Sequence, residues 1–174
     1  MNLVLALAVV IGALGAVATY LFLSPLGPFG LLIWAAFVAW AAFFHSGGGE
    51  GALKSNIPAH IWGALMATIA FLLITNVAIG DLAMTAAIWV GVTVAIMIAA
   101  AQVPLLGQIP SAVYGYACTA AYCIHRGVDL QDGLGSLAAG GLGVNPFLTV
   151  SASMIIGALF GYVSGKIAGA LAKG

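Results

Sequence analysis

The chain has 174 residues, of which 64% are hydrophobic and only 5% are charged, and its formal net charge is zero. A soluble domain carries roughly 25% charged residues, so too few polar side chains are present to cover a water-facing surface, which excludes a soluble enzyme and a disordered chain. Because four Lys or Arg residues cannot form a basic patch, we also expect no nucleic-acid partner. The expected surroundings are a lipid bilayer.

The charged residues leave long segments of the chain uncharged. No Asp, Glu, Lys or Arg occurs in residues 1–49, 55–80, 82–125 or 133–165. A membrane-spanning helix needs about 20 mostly apolar residues. The apolar runs also lack the polar and apolar alternation that is typical of a membrane β-barrel strand. The sequence therefore predicts an all-α fold, a polytopic integral membrane helical bundle that forms a single transmembrane domain.

Turn-forming residues divide this domain into about six predicted transmembrane helices. Proline and glycine bound most of them, since proline cannot continue a helix and restricts the residue before it. The predicted helices are 2–23, 28–45, 57–76, 82–102, 109–125 and 146–171. Ala16-Val17-Ala18 imitates a signal-peptidase site, but no Lys or Arg precedes it, so we expect the first helix to be retained. The Gly-rich stretch 127–144 is either an exposed loop or a short re-entrant segment.

Two predicted helix starts resemble each other. Residues 57–63 read Ile-Pro-Ala-His-Ile-Trp-Gly, and residues 109–115, 52 positions later, read Ile-Pro-Ser-Ala-Val-Tyr-Gly. This echo predicts an internal repeat, which is a common way to build a transporter around a shared centre. The alternative is a chance match, because proline often begins a membrane helix and the composition is simple.

Several motifs along the chain resemble one known family. They are Gly30-Leu31-Leu32-Ile33-Trp34-Ala35, the glycines from Gly47 to Gly51 followed by Leu53-Lys54, the helix around Trp62, Ile109-Pro110 through Ala117-Cys118-Thr119, and Ile156-Gly157-Ala158-Leu159-Phe160-Gly161-Tyr162. Together these motifs are similar to the small bacterial inner-membrane proteins of domain-of-unknown-function family 1097. The resemblance implies a multi-pass protein of the bacterial inner membrane and supplies no catalytic or binding residue. His45-Ser46 and Glu50 depart from the family's glycine-rich loop.

Lysine and arginine placement predicts how the chain is oriented. With six spans, Lys54, Lys166 and Lys173 lie on one side of the membrane and Arg126 lies on the other. Cytoplasmic loops carry the excess of these residues. We therefore expect the N- and C-termini to be cytoplasmic.

Small residues recur every fourth position on the last predicted helix. Gly157, Gly161, Gly165 and Gly169 form successive GxxxG units, which let another helix approach to backbone contact. The stripe is interpreted either as packing within one chain or as a self-association seam in a homo-oligomer. Its polar upstream continuation, Asn145, Thr149 and Ser153, is a candidate lining of a solute pathway.

Histidine and aromatic residues supply the other pathway candidates. His60, Trp62 and Tyr114 lie within the echo, so Trp62 and Tyr114 would be related by symmetry if the repeat is real. Imidazole can relay protons or gate on pH, whereas His45 and His125 fit ordinary helix-end residues. The alternative for the aromatic side chains is a membrane-interface belt.

The functional prediction follows from what the apolar segments contain. They hold no carboxylate, and the sequence carries no nucleophile–base pair, metal-ligand cluster or nucleotide motif, so we expect no enzyme, no metal and no cofactor. We expect a channel or facilitator for a small neutral or weakly charged polar solute, such as an amide like urea, ammonia or a small weak acid. Two alternatives are a non-transporting membrane assembly or regulatory protein and a proton-linked transporter that uses membrane histidines.

Overall fold

The computed structural model describes residues 1–125 and 140–173, and these residues form an all-helical bundle without β-strands. Six α-helices lie in the described part of the chain: α1 (Leu3–Leu23), α2 (Ile33–His45), α3 (Gly49–Asn76), α4 (Leu82–Ala99), α5 (Ile109–His125) and α6 (Pro146–Lys173). Short 3-10 segments occupy Gly27–Phe29, Ala100–Gln102 and Pro104–Leu106. The predicted all-α fold is confirmed. The predicted ambiguity over 127–144 lies mostly outside the described residues.

Four helical segments are long and apolar enough to cross a membrane. They are Leu3–Leu23, Gly49–Asn76, Leu82–Gln102 and Pro146–Ala172. The other two helices are shorter, with 13 residues in α2 and 17 in α5. At 1.5 Å per residue these helices are about 20 Å and about 26 Å long. The chain is therefore a membrane protein whose two shorter helices lie among longer ones.

Two helix starts differ from the sequence prediction. Helix α2 begins at Ile33 rather than 28, because Gly27–Phe29 forms a 3-10 turn that ends at Gly30 in the left-handed region. Helix α3 begins at Gly49 rather than 57, and Pro58 lies inside it. Gly47 and Gly48 adopt positive φ and reverse the chain directly after α2, so α3 starts at once. Pro58 removes only one backbone hydrogen bond from this long helix.

The later helix ends differ less from the prediction. Helix α4 ends at Ala99 rather than 102, and two 3-10 segments then carry the chain as far as Leu106. Helix α6 continues to Lys173, two residues beyond the predicted end. Helix α5 has the predicted bounds, 109–125.

The helices alternate in direction, so every second helix runs parallel. Ser111 of α5 meets Asn56 of α3, and further along both helices Cys123 packs against Phe71. Helices α2 and α6 are parallel as well, because Leu32 contacts Ser153 and, further along both helices, Trp40 contacts Ser164. One end of the bundle, named here the His45 end, therefore holds the end of α2 and the starts of α3 and α5. The opposite end, the Asn145 end, holds the starts of α2 and α6 and the end of α5.

Helices α3 and α6 form the centre of the bundle. Half of the apolar window in each is buried against other helices, compared with 17% in α1 and in α4. Helix α1 packs on α6 through Ala6, Val10 and Ala168. The remaining apolar faces of α1 and α4 are exposed, as expected of surfaces that meet lipid chains.

Candidate functional site

The closest helix contact in the predicted site joins α3 to α5 at two glycines. A methyl group added at Gly63 would overlap the carbonyl oxygen of Ala112, and one added at Gly115 would overlap the carbonyl oxygen of His60. The two contacts are equivalent, since each residue of the first pair has its counterpart in the second 52 positions along the chain. The absence of a Cβ therefore lets the two backbones touch at the centre of the echo.

A second pair of contacts follows the same spacing. Trp62 Nε1 donates to the carbonyl oxygen of Met97 at 3.2 Å, and the Tyr114 hydroxyl hydrogen-bonds to His45 Nδ1 at 3.0 Å. Tyr114 is 52 positions after Trp62, and Met97 is 52 positions after His45. The hairpin α2–α3 thus contacts the hairpin α4–α5 through exchanged, equivalent interactions. This exchange of partners is what an internal repeat with an approximate two-fold axis between α3 and α5 predicts.

His60 is buried at this axis with both ring nitrogens unpaired. Its side chain is 1% exposed, and neither Nδ1 nor Nε2 has a hydrogen-bond partner among the described residues. Leaving one buried polar atom unpaired costs about 1–3 kcal/mol. The repeat does not duplicate this group, because the equivalent position holds Ala112. This buried imidazole is therefore a candidate for binding a polar group inside the bundle.

Asn56 lies one helical turn before His60, on the same face of α3. It is 0% exposed, and its Oδ1 accepts hydrogen bonds from Ser46 Oγ and from Ser111 Oγ, each at 2.9 Å. Its Nδ2 has no partner among the described residues. The two hydroxyls come from the turn after α2 and from the start of α5, so they fix the amide from two directions. We name Ser46, Asn56, His60 and Ser111 the α3 polar cluster.

The other predicted pathway residues lie at the Asn145 end, where their polar atoms bind backbone. Asn145 Oδ1 accepts from the Leu148 N–H at 3.0 Å and caps α6. Thr149 Oγ1 accepts from the Gly143 N–H at 2.8 Å. Ser153 Oγ accepts from the Leu32 N–H at 2.9 Å and donates to the Thr149 carbonyl oxygen at 2.7 Å. These side chains hold the starts of α2 and α6 together.

An apolar cluster packs in the bundle core beside these polar groups. It is formed by α2, α3, α5 and α6, and its buried members are Ala35, Ala39, Ala64, Cys118, Tyr122, Val150 and Met154. Tyr114 packs against one side of it and Leu32 and Phe147 also border it. Several members are small, and Met154 is flexible because its side chain is unbranched. Val150 and Met154 directly follow Thr149 and Ser153 on α6, so apolar and polar side chains share the same level of the core at the Asn145 end.

Three of the four glycines in the stripe on α6 face α2 of the same chain. A methyl group at Gly157 would overlap the Ala36 carbonyl oxygen, and one at Gly161 would lie 2.8 Å from Phe43 Cβ. At Gly165 the nearest atom would be a Phe43 ring carbon, at 3.3 Å. Only Gly169 has nothing within 4 Å. Most of the stripe is therefore used for packing inside the chain.

Charged groups lie outside the core of the described bundle. Glu50, Lys54, Asp81 and Lys166 are exposed, and Lys166 Nζ lies 4.0 Å from Glu50 Oε1 at the His45 end. Among the described residues no group of three or more His, Cys, Asp or Glu side chains could hold a metal ion. What the core offers a ligand is thus uncharged hydrogen-bonding groups.

Asn56, Ser46 and Ser111 were not among the sequence-predicted site residues. The sequence carries one signal that could have found Asn56, because it precedes His60 by four positions and so shares its helix face. The predicted helix starts at residue 57, so Asn56 falls outside it and its shared face with His60 is not apparent. His125 is exposed at the Asn145 end, as the sequence suggested for a helix-end histidine.

Comparison with known proteins identifies the family but no characterised relative. A family model described as "Protein of unknown function (DUF1097)" matches residues 8–169. The chain therefore belongs to this family, which confirms the resemblance seen in its motifs. A search of curated proteins and a search of solved structures found no match.

Proposed function

We propose that this member of the DUF1097 family is a channel or facilitator for a small neutral or weakly charged polar solute, such as an amide like urea, ammonia or a small weak acid. The observation that carries the proposal is a pair of buried polar side chains in a membrane bundle: among the described residues, both ring nitrogens of His60 and the Nδ2 of Asn56 have no hydrogen-bond partner. A polar solute that enters such a bundle loses its water, and hydrogen-bonding groups inside the bundle replace it. We place the protein in the bacterial inner membrane with cytoplasmic termini.

The pathway we propose runs between α2, α3, α5 and α6. It starts at the His45 end, where Ser46 is partly exposed and leads to Asn56 and His60. It passes the apolar cluster at Met154 and ends near Ser153. In this proposal Met154 and its apolar neighbours act as a gate that a small solute crosses when the side chains move aside.

The lack of charge in the described core favours a neutral solute over an ion. An ion at this depth would lose its hydration without gaining an opposite charge. The same reasoning favours passive movement over coupling to an ion gradient. We also propose a homo-oligomer, and the open surface at Gly169, which continues the glycine stripe beyond its contacts with α2, supports it.

Stopped-flow flux into proteoliposomes tests the proposal. The solutes are urea, acetamide, ammonia, acetic acid and glycerol, and the variants are His60→Ala and the matched control His125→Ala. We expect the wild type and His125→Ala to raise the permeability for at least one solute, and His60→Ala to lower that increase at least several-fold. Flux equal to protein-free vesicles for every solute would contradict the proposal and favour the non-transporting alternative.

A proton-linked transporter is the second candidate, and His60 is the observation that favours it. Imidazole is the side chain that changes charge most readily near neutral pH. This candidate predicts uptake that depends on a pH gradient in the wild type and loses that dependence in His60→Ala. Uptake that is the same with and without the gradient would reject it.

A further inference from the structure

We infer that the α3 polar cluster is a binding site for a small solute that carries a carbonyl group, either an amide or a protonated carboxylic acid. This inference rests on the proposed function and names its substrate class. It separates these solutes from ammonia, which the proposed function alone does not.

The first piece of evidence is the orientation of the Asn56 side-chain amide. Ser46 Oγ and Ser111 Oγ both donate to Oδ1, each at 2.9 Å. A carbonyl oxygen has two lone pairs, and in this orientation the two serine hydroxyls use both. The two N–H groups of Nδ2 then point away from the serines, and both are free among the described residues. The group that Asn56 offers is therefore a hydrogen-bond donor.

The imidazole of His60 supplies the complementary groups. A neutral imidazole has one nitrogen that donates and one that accepts, and both are unpaired among the described residues. Its backbone is held by the close contact of its carbonyl oxygen with Gly115, so the ring starts from a fixed position one turn beyond Asn56. Together the two side chains offer three donor hydrogens and one acceptor.

This inventory fits a carbonyl solute that also carries an N–H or O–H group. The carbonyl oxygen accepts from Asn56 Nδ2, and the solute's N–H or O–H donates to the accepting nitrogen of His60. Ammonia has no carbonyl oxygen for the amide, and its single lone pair satisfies only one of the three donors. A full carboxylate is disfavoured, because no charged side chain of the described residues is buried with it.

Binding is measured on the intact protein in detergent through its histidine ring nitrogens. The protein contains three histidines, so ¹⁵N-histidine labelling gives few signals, and His60→Gln assigns those of His60. Acetamide, acetic acid below its pKa, glycerol and methylamine are titrated in turn. We expect the His60 signals to shift with acetamide or acetic acid and not with glycerol or methylamine. The acetamide and acetic acid titrations distinguish an amide site from a carboxylic acid site.

Asn56→Leu is the decisive variant, because it keeps the approximate size of the side chain, places no charge in the core and removes the donating nitrogen. We expect it to weaken carbonyl-solute binding about tenfold, the upper end for one neutral hydrogen bond. Asn76→Leu is the matched control, since Asn76 is exposed at the other end of the same helix. Ser111→Ala, which removes one of the two orienting hydroxyls, gives a smaller loss and keeps the test informative if Asn56→Leu does not fold.

Two results would overturn the inference. One is an unchanged His60 spectrum at saturating acetamide and acetic acid, and the other is an equal response to glycerol or methylamine. Carbonyl-solute binding in a protein that gives no flux would refute the proposed function and leave this site standing. Flux without any preference for carbonyl solutes would support the proposed function and refute this binding site.

Discussion

Replacing Gly63 with alanine tests the contact on which the site is built. The new Cβ would lie 2.8 Å from the Ala112 carbonyl carbon and from the Tyr116 nitrogen, and closer still to the Ala112 oxygen. Both neighbours are backbone of α5, so relief of the contact with the Ala112 oxygen requires the two helices to separate by about 1 Å or more. A gap of 0.5–1 Å forfeits about a quarter to a half of the dispersion energy of each atom pair across the contact.

We expect Gly63→Ala to lower the free energy of unfolding by about 1–3 kcal/mol, as at other overpacked sites. This loss is reduced by up to about 1 kcal/mol, because alanine favours the helix more than glycine does. Since a protein of this size changes its Tm by about 2–4 °C per kcal/mol, we expect the Tm of Gly63→Ala to fall by several degrees. Tryptophan fluorescence during thermal unfolding in detergent measures it. Gly91→Ala is the control, since nothing lies within 4 Å of that position on α4, and its Tm should stay unchanged or rise. Equal Tm values for the two variants would refute the proposed packing.

Three other substitutions test the rest of the bundle. Gly157→Ala should lower the Tm, because its methyl group overlaps the backbone of α2, whereas Gly169→Ala should leave it unchanged; equal values would show that the stripe does not pack against α2. Ser153→Ala leaves the Leu32 N–H without its acceptor and should lower the free energy of unfolding by about 1–3 kcal/mol, which denaturant titration measures. Met154→Ala should raise solute permeability several-fold per folded protein in proteoliposomes, and an unchanged value would place the gate elsewhere.

Much of the fold is predictable from the sequence because membrane helices need long apolar runs and turns need glycine or proline. The uncharged segments locate all six described helices, and the bounds of α5 agree with the prediction. Helix α3 departs most from the prediction, since its predicted start is residue 57 and it begins at Gly49, with Pro58 inside the helix. Proline is tolerated there because it removes a single backbone bond from a helix of 28 residues.

The site is predictable only in part, because sequence spacing shows faces and not partners. The echo indicated that His60, Trp62 and Tyr114 belong together, and the structure brings Trp62 and Tyr114 into equivalent contacts. It does not bring Asn145, Thr149 or Ser153 to the same end. The partners of Asn56 lie in other elements, so no local pattern could have shown that its Oδ1 accepts hydrogen bonds from two serine hydroxyls.

The glycine stripe illustrates the same limit. Four-residue spacing identifies a surface that permits close approach, but a second helix of the same chain and a second copy of the chain fit it equally well. The contacts of Gly157 and Gly161 assign most of the stripe to α2. Whether the stripe packs within one chain or between two copies depends on long-range packing, and the sequence of α6 alone does not show this.

The most direct test of the central claim is the permeability of wild-type proteoliposomes to acetamide, measured by stopped-flow light scattering against protein-free vesicles of the same lipid and size. A polar pathway past His60 predicts acetamide entry several-fold faster with the protein, and entry close to the protein-free rate with His60→Ala. Equal rates in the wild type and in empty vesicles, or an undiminished rate in His60→Ala, would contradict the account.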